Sequence, residues 1–163
     1  MRVLRLARLD GLGLLVLGSI FALMAAAGQE GPFAAIGLLA AGAGAIELHG
    51  VGLLREGEPR GMDWVIASQP FLLLVIWCYA GLRLLLFEIP PLPEGMGELA
   101  AVGAAQWGLS IEAYFERVNT VTAAVLSVVA LGYQGGMTIY YLRRRRPVFQ
   151  AFAQWAEPIE PGS

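Results

Sequence analysis

Four long apolar runs, Gly11–Gly28, Pro32–Leu54, Trp64–Phe87 and Val118–Leu142, alternate along the chain with short polar clusters and one longer loop. Roughly 17–25 helical residues cross the ~30 Å hydrocarbon layer of a bilayer, so each run is long enough to span it. Backbone groups find no water there, so each run is expected to be helical. Punctuation supports the boundaries. Pro32 after Glu30-Gly31 is a helix-start signal, Asp63 is placed to cap the third run, and Pro90-Pro91 ends it. Pro70 lies inside the third run and cannot donate to the Ile66 carbonyl, which predicts a kink.

The pattern predicts an all-α membrane protein, a bundle of four transmembrane helices forming a single polytopic domain over residues 1–163. An outer loop runs over 88–117 and a cytoplasmic tail over 143–163. Within the loop, Leu99–Leu109 (LAAVGAAQWGL) is too short to span and predicts a short interfacial or re-entrant helix. Ser110 with Glu112 reads as the start of a helix that runs into the fourth span. Phe149, Phe152 and Trp155 beside the arginines predict a tail lying on the membrane surface.

Composition agrees. The chain is 57% hydrophobic and 15% charged, whereas soluble domains carry about 25% charged residues. Arg2, Arg5 and Arg8 precede the first span, Arg55 and Arg60 separate the second and third, and Arg143–Arg146 follow the fourth. The positive-inside rule then places both termini in the cytoplasm, in what we expect to be a prokaryotic inner membrane. The opposite side carries Glu30, Glu88, Glu94, Glu98, Glu112 and Glu116. Arg143–Arg146 lacks interleaved aromatics and reads as a topology determinant, so no nucleic-acid partner is expected. The single cysteine, Cys78, excludes an intrachain disulfide.

The first run has a second reading. Arg2–Arg8, an apolar core and Ala25-Ala26-Ala27 also fit a signal peptide with an A-x-A site. Gly11, Gly18, Ala22 and Ala25 favour a retained helix, because this small-residue stripe suits close packing. Intact-protein mass spectrometry separates the two.

Candidate chemistry centres on AIELHGVGLL, residues 45–54. Glu47 and His49 are two positions apart, so on a helix they point about 200° apart and form no local pair. Glu47 shares its face with Gly37, Ala40, Gly44 and Val51. At similar depth lie Ser68 and Gln69 on the third span and Tyr133 and Gln134 on the fourth, so Glu47, Ser68, Gln69, Tyr133 and Gln134 define a polar layer. Thr120, Ser127, Gln134 and Tyr141 recur every seven residues and line one face, with Thr138 nearby. A charge at mid-membrane costs about 2.5–3.5 kcal/mol even on the lenient insertion scale, so Glu47 points to a proton or cation site. The alternative is interhelical glue, with bonds worth about 0.6–2 kcal/mol each.

Secondary candidates are His49, Arg83, Glu112 and Glu116. Arg83 is expected to snorkel or to pair with Glu88, Glu112 or Glu116. Three glycines within Gly132–Gly136 predict close packing, with a hinge as the alternative. No nucleophile–base–orienter set, clustered His/Cys ligands or phosphate-cradling loop is present, so neither catalysis, a cofactor nor a bound metal is expected. Two functions remain: a small transporter or channel subunit, or a non-catalytic scaffold or accessory subunit. The expected partners are the lipid bilayer and either further copies of the chain or a larger membrane complex.

Overall fold

The α1 helix, Arg2–Ala27, begins nine positions earlier than the apolar run in the sequence. Leu4, Ala7 and Gly11 already follow helical spacing, with Ala7 buried and Arg5 and Arg8 exposed, so the charged flank extends the same amphipathic face. The computed structural model describes residues 2–88 and 96–156. Pro90-Pro91, Glu94 and the end of the tail lie outside them, and the description of side chains stops at Phe152. The other helices are α2 (Gly31–Arg55), α3 (Gly61–Leu85), α4 (Met96–Gln106) and α5 (Ile111–Ala156). Among the described residues there is no strand. Four stretches are long and apolar enough to cross a membrane: Leu4–Ala27, Gly31–Arg55, Gly61–Leu85 and Ile111–Phe152.

The fourth helix overruns its expected end. Arg143–Arg146 are good helix formers, and α5 continues through Pro147, whose nitrogen leaves the Arg143 carbonyl without its helical donor. The third helix also starts early. Gly61, Met62 and Asp63 donate to the carbonyls of Glu58, Pro59 and Arg60, which closes the first turn before Asp63. Asp63 is therefore inside the turn rather than at the cap, and it pairs with Arg145 at 2.9 Å on the surface.

The chain divides into two units, Met1–Val75 with Ala130–Ser163, and Ile76–Val129. In the first, α1 and α2 form a hairpin closed by Gly28–Glu30, with Gln29 in the left-handed region at φ 60°. The two small-residue stripes pack on one another. A Cβ at Gly18 would lie 2.5 Å from the Ala41 nitrogen, one at Gly37 2.5 Å from the Ala22 nitrogen, and one at Gly44 2.5 Å from the Gly11 carbonyl. Such backbone proximity is what small residues permit. Gly50 and Gly61 bring α2 and α3 equally close. A core of Ala7, Val51, Leu54, Met62, Val65 and Tyr141 fills this unit, flanked by Leu4, Ile66, Met137 and Tyr140.

In the second unit α4 lies against the start of α5, where a Cβ on Gly103 would approach the Tyr114 hydroxyl to 3.1 Å. The Ala113 amide donates to Ser110 Oγ at 3.2 Å, so Ser110 caps α5 as its sequence context predicts. Large apolar side chains such as Leu9, Leu17, Leu23, Leu38, Val128 and Leu131 face outward along the helices. That is the surface expected of helices that meet lipid rather than water.

Candidate functional site

The polar layer forms in the first unit, and it is built from backbone proximity. Because α1 and α2 meet through glycines, the α2 face carrying Glu47 is pressed onto α1, and a Cβ on Gly11 would lie 3.3 Å from that of Glu47. This contact brings Asp10 beside Glu47, and Gln69 on α3 stands close to both carboxyl groups without a hydrogen bond to the buried oxygen of either. Glu47 and Gln69 are wholly buried, Ser68 is 1% exposed and Gln134 5%.

The bonds that are made define what is left over. Tyr141 on α5 donates its hydroxyl to Glu47 Oε1 at 3.2 Å. Gln69 Nε2 donates to Ser68 Oγ at 3.3 Å, and Ser68 donates in turn to the Val65 carbonyl at 2.9 Å. Among the described residues four buried oxygens then have no hydrogen-bond partner: Asp10 Oδ2, Glu47 Oε2, Gln69 Oε1 and Gln134 Oε1. Buried polar atoms are normally satisfied, and each unsatisfied one costs about 1–3 kcal/mol. No ion pair reaches Asp10 or Glu47 among the described residues. The cluster is thus rich in acceptors and poor in donors.

Of the five residues read as a layer, Glu47, Ser68, Gln69 and Gln134 are buried in this unit, whereas Tyr133 is 50% exposed, its ring turned outward. It still lies within electrostatic reach of Asp10 and Glu47. Two members were missing from the reading. Asp10 fell outside the first apolar run because it follows Arg8 and looks like a flank. Tyr141 was visible only as the end of the seven-residue series through Gln134.

The hydroxyl face of α5 is not an open polar track. Thr120, Ser127 and Thr138 donate to the carbonyls of Glu116, Ala123 and Gln134 on their own helix. Nor do the glycines at 132, 135 and 136 serve close packing among the described residues, where a Cβ at any of them meets nothing within 4 Å. His49 is exposed, with its ring edge-on to Trp64 at 5.3 Å, away from Glu47.

The second unit holds the other candidates. Arg83 bonds Asn119 Oδ1 through Nε at 2.6 Å and Tyr79 through Nη1 at 3.1 Å, while Asn119 Nδ2 donates to the Arg83 carbonyl. It pairs with Asn119 and Tyr79 rather than with an outer carboxylate, because Asn119 is buried on the facing helix and offers both a donor and an acceptor. Glu112 and Glu116 are exposed, and Glu116 borders an open groove of about 960 Å³ with Trp107, Tyr114 and Arg117. No group of three or more His, Cys, Asp or Glu residues placed to hold a metal occurs among the described residues.

The helices and this cluster define a class: among the described residues an all-helical chain, with four helices long and apolar enough to cross a membrane and a buried cluster of acidic and amide side chains. Comparison with protein-family models, with curated proteins and with solved structures finds no match that would narrow the class further.

Proposed function

We propose that the chain is a small, non-enzymatic transporter or channel subunit of a prokaryotic inner membrane, with Glu47 as the proton- or cation-responsive centre of its polar cluster. The observation that carries this reading is the set of four buried oxygens without a donor, contributed by Asp10, Glu47, Gln69 and Gln134. Helix glue pairs donors with acceptors; a site for positive charge leaves acceptors over. The arginine distribution supports cytoplasmic termini, which sets the cluster nearer the cytoplasmic face.

One observation favours an accessory role instead. The Tyr141–Glu47 bond ties α2 to α5, as a purely structural seam would. Proteoliposome flux separates the two. The transporter reading expects wild-type protein to carry H⁺ or a metal cation and Glu47→Gln to lose at least about tenfold of that flux. Absence of any wild-type flux, or an unchanged flux in the variant, overturns it.

A further inference from the structure

Arg83 is a fixed positive charge that the polar cluster does not use. It lies two residues before the end of α3, about 3 Å of helix, where a spanning helix meets lipid headgroups. Two bonds hold its guanidinium: Nε donates to Asn119 Oδ1 at 2.6 Å, and Nη1 donates to the Tyr79 hydroxyl at 3.1 Å. Asn119 is 4% exposed and also donates Nδ2 to the Arg83 carbonyl at 3.2 Å, so one residue clamps both side chain and backbone. Nη2 has no acceptor among the described residues. It presents its N–H groups from a planar fork whose orientation is already set.

Charge restricts what can meet those groups. Both partners of Arg83 are neutral, and the one ion pair among the described residues joins Arg145 to Asp63. Glu88, Glu112 and Glu116 are exposed, and none of them pairs with Arg83 among these residues. A half-buried cation without a counter-ion is costly, and a guanidinium with N–H groups to spare is matched by the oxygens of a phosphate. The surroundings indicate where that phosphate comes from. Leu84, Leu85 and Leu86 follow Arg83 and are exposed, Leu85 to 82%. A free ion in water leaves these side chains bare, whereas the acyl chains of a lipid cover them.

We infer that Arg83, clamped by Asn119 and Tyr79, binds the headgroup phosphate of a membrane lipid in the leaflet that holds the C-terminal end of α3. The contact is non-covalent: Nη2 donates to phosphate oxygens, which supply the missing negative charge. Asn119 is a positioning residue, because it holds the guanidinium and leaves the far end of the fork to the lipid. No residue of the Glu47 cluster takes part.

Full-length protein in dodecyl maltoside micelles, which carry no phosphate, tests this with two photoreactive lipids. One is phosphatidylglycerol with a diazirine on its headgroup; the other is a diacylglycerol with the same chains and diazirine but no phosphate. Cross-links from the first should map by mass spectrometry to the end of α3 around Arg83, about tenfold or more above those from the second, and inorganic phosphate should not compete. Arg83→Gln should lower the yield about tenfold or more. Asn119→Asp keeps Arg83 but sets a carboxylate on Nε, and should lower the yield as far, because the counter-charge is then internal. A merely structural Asn119 predicts no such loss in a folded protein. Arg117→Gln, exposed on α5, should change nothing. Cross-links confined to Arg143–Arg146, equal labelling by the phosphate-free probe, or full labelling of folded Arg83→Gln protein overturns the inference. Displacement by inorganic phosphate overturns the lipid as the source of the anion. Wild-type mapping decides the matter even if a variant fails to fold.

Discussion

At the residue scale, Glu47 shows how one side chain can be both bonded and unsatisfied. Its Oε1 accepts from Tyr141, while Oε2 has no donor in a wholly buried setting. Replacing Glu47 by Gln keeps the shape and an acceptor for Tyr141, and removes a carboxyl group from a wholly buried setting. Glu47→Gln should therefore unfold at the same temperature as wild type or higher, in a thermal melt monitored by circular dichroism, even as flux is lost. A melting point lower by several degrees would mean the carboxyl group is there for stability. Tyr141→Phe keeps the buried ring but removes the bond, and should cost about 0.6–2 kcal/mol, read as a lower melting temperature. Much of the site was legible in the sequence, because Glu47, Gln69 and Gln134 are rare polar residues in apolar runs. Tyr141 was not. Depth was judged from backbone position, which put Tyr133 level with Glu47. A tyrosine on a helix leans toward its N-terminus, so the one further along reaches back to that level.

At the scale of elements, the small-residue stripes were readable but their partners were not. Periodicity gives the face of a helix, never the surface it meets. The stripes on α1 and α2 were readable as close-packing faces, and in the structure they pack on each other. The seam makes a sharp contrast among glycines. At Gly18 and Gly37 a methyl group would collide with backbone at 2.5 Å, where nothing flexible can yield. Gly18→Ala and Gly37→Ala should each destabilise by about 1–3 kcal/mol, as overpacking does. Gly42 on α2 and Gly135 and Gly136 on α5 have open space where a Cβ would go. Alanine there should stabilise by up to about 1 kcal/mol per site through helix propensity alone. Parallel thermal melts in one detergent measure both groups. If flux falls in Gly135→Ala/Gly136→Ala while stability rises, bending of α5 is part of function.

For the molecule as a whole, the four spans were the most legible feature, because apolar length is imposed by the bilayer and survives any detail of packing. Orientation is a further claim, and it follows from the arginines alone. Arg55 and Arg60 flank the connection from α2 to α3, while Glu30 starts α2 at its other end. If α2 crosses the membrane with positive charge inside, these two ends face opposite compartments. A single reporter cysteine at each tests this, after Cys78→Ala removes the native thiol. In intact cells a membrane-impermeant maleimide should label Glu30→Cys and Glu112→Cys, and should label Glu56→Cys only after permeabilisation. The inverse pattern reverses the orientation, and labelling of Glu30→Cys and Glu56→Cys from one side means α2 does not span. The outcome bears on mechanism as well. Glu47 is eight residues from Arg55, or about 12 Å of helix, so whichever compartment Arg55 faces has the shorter route to the carboxyl pair. With Arg55 inside, cations and protons should exchange with the site more readily from the cytoplasm, so flux should saturate at a lower concentration in inside-out vesicles than in right-side-out ones.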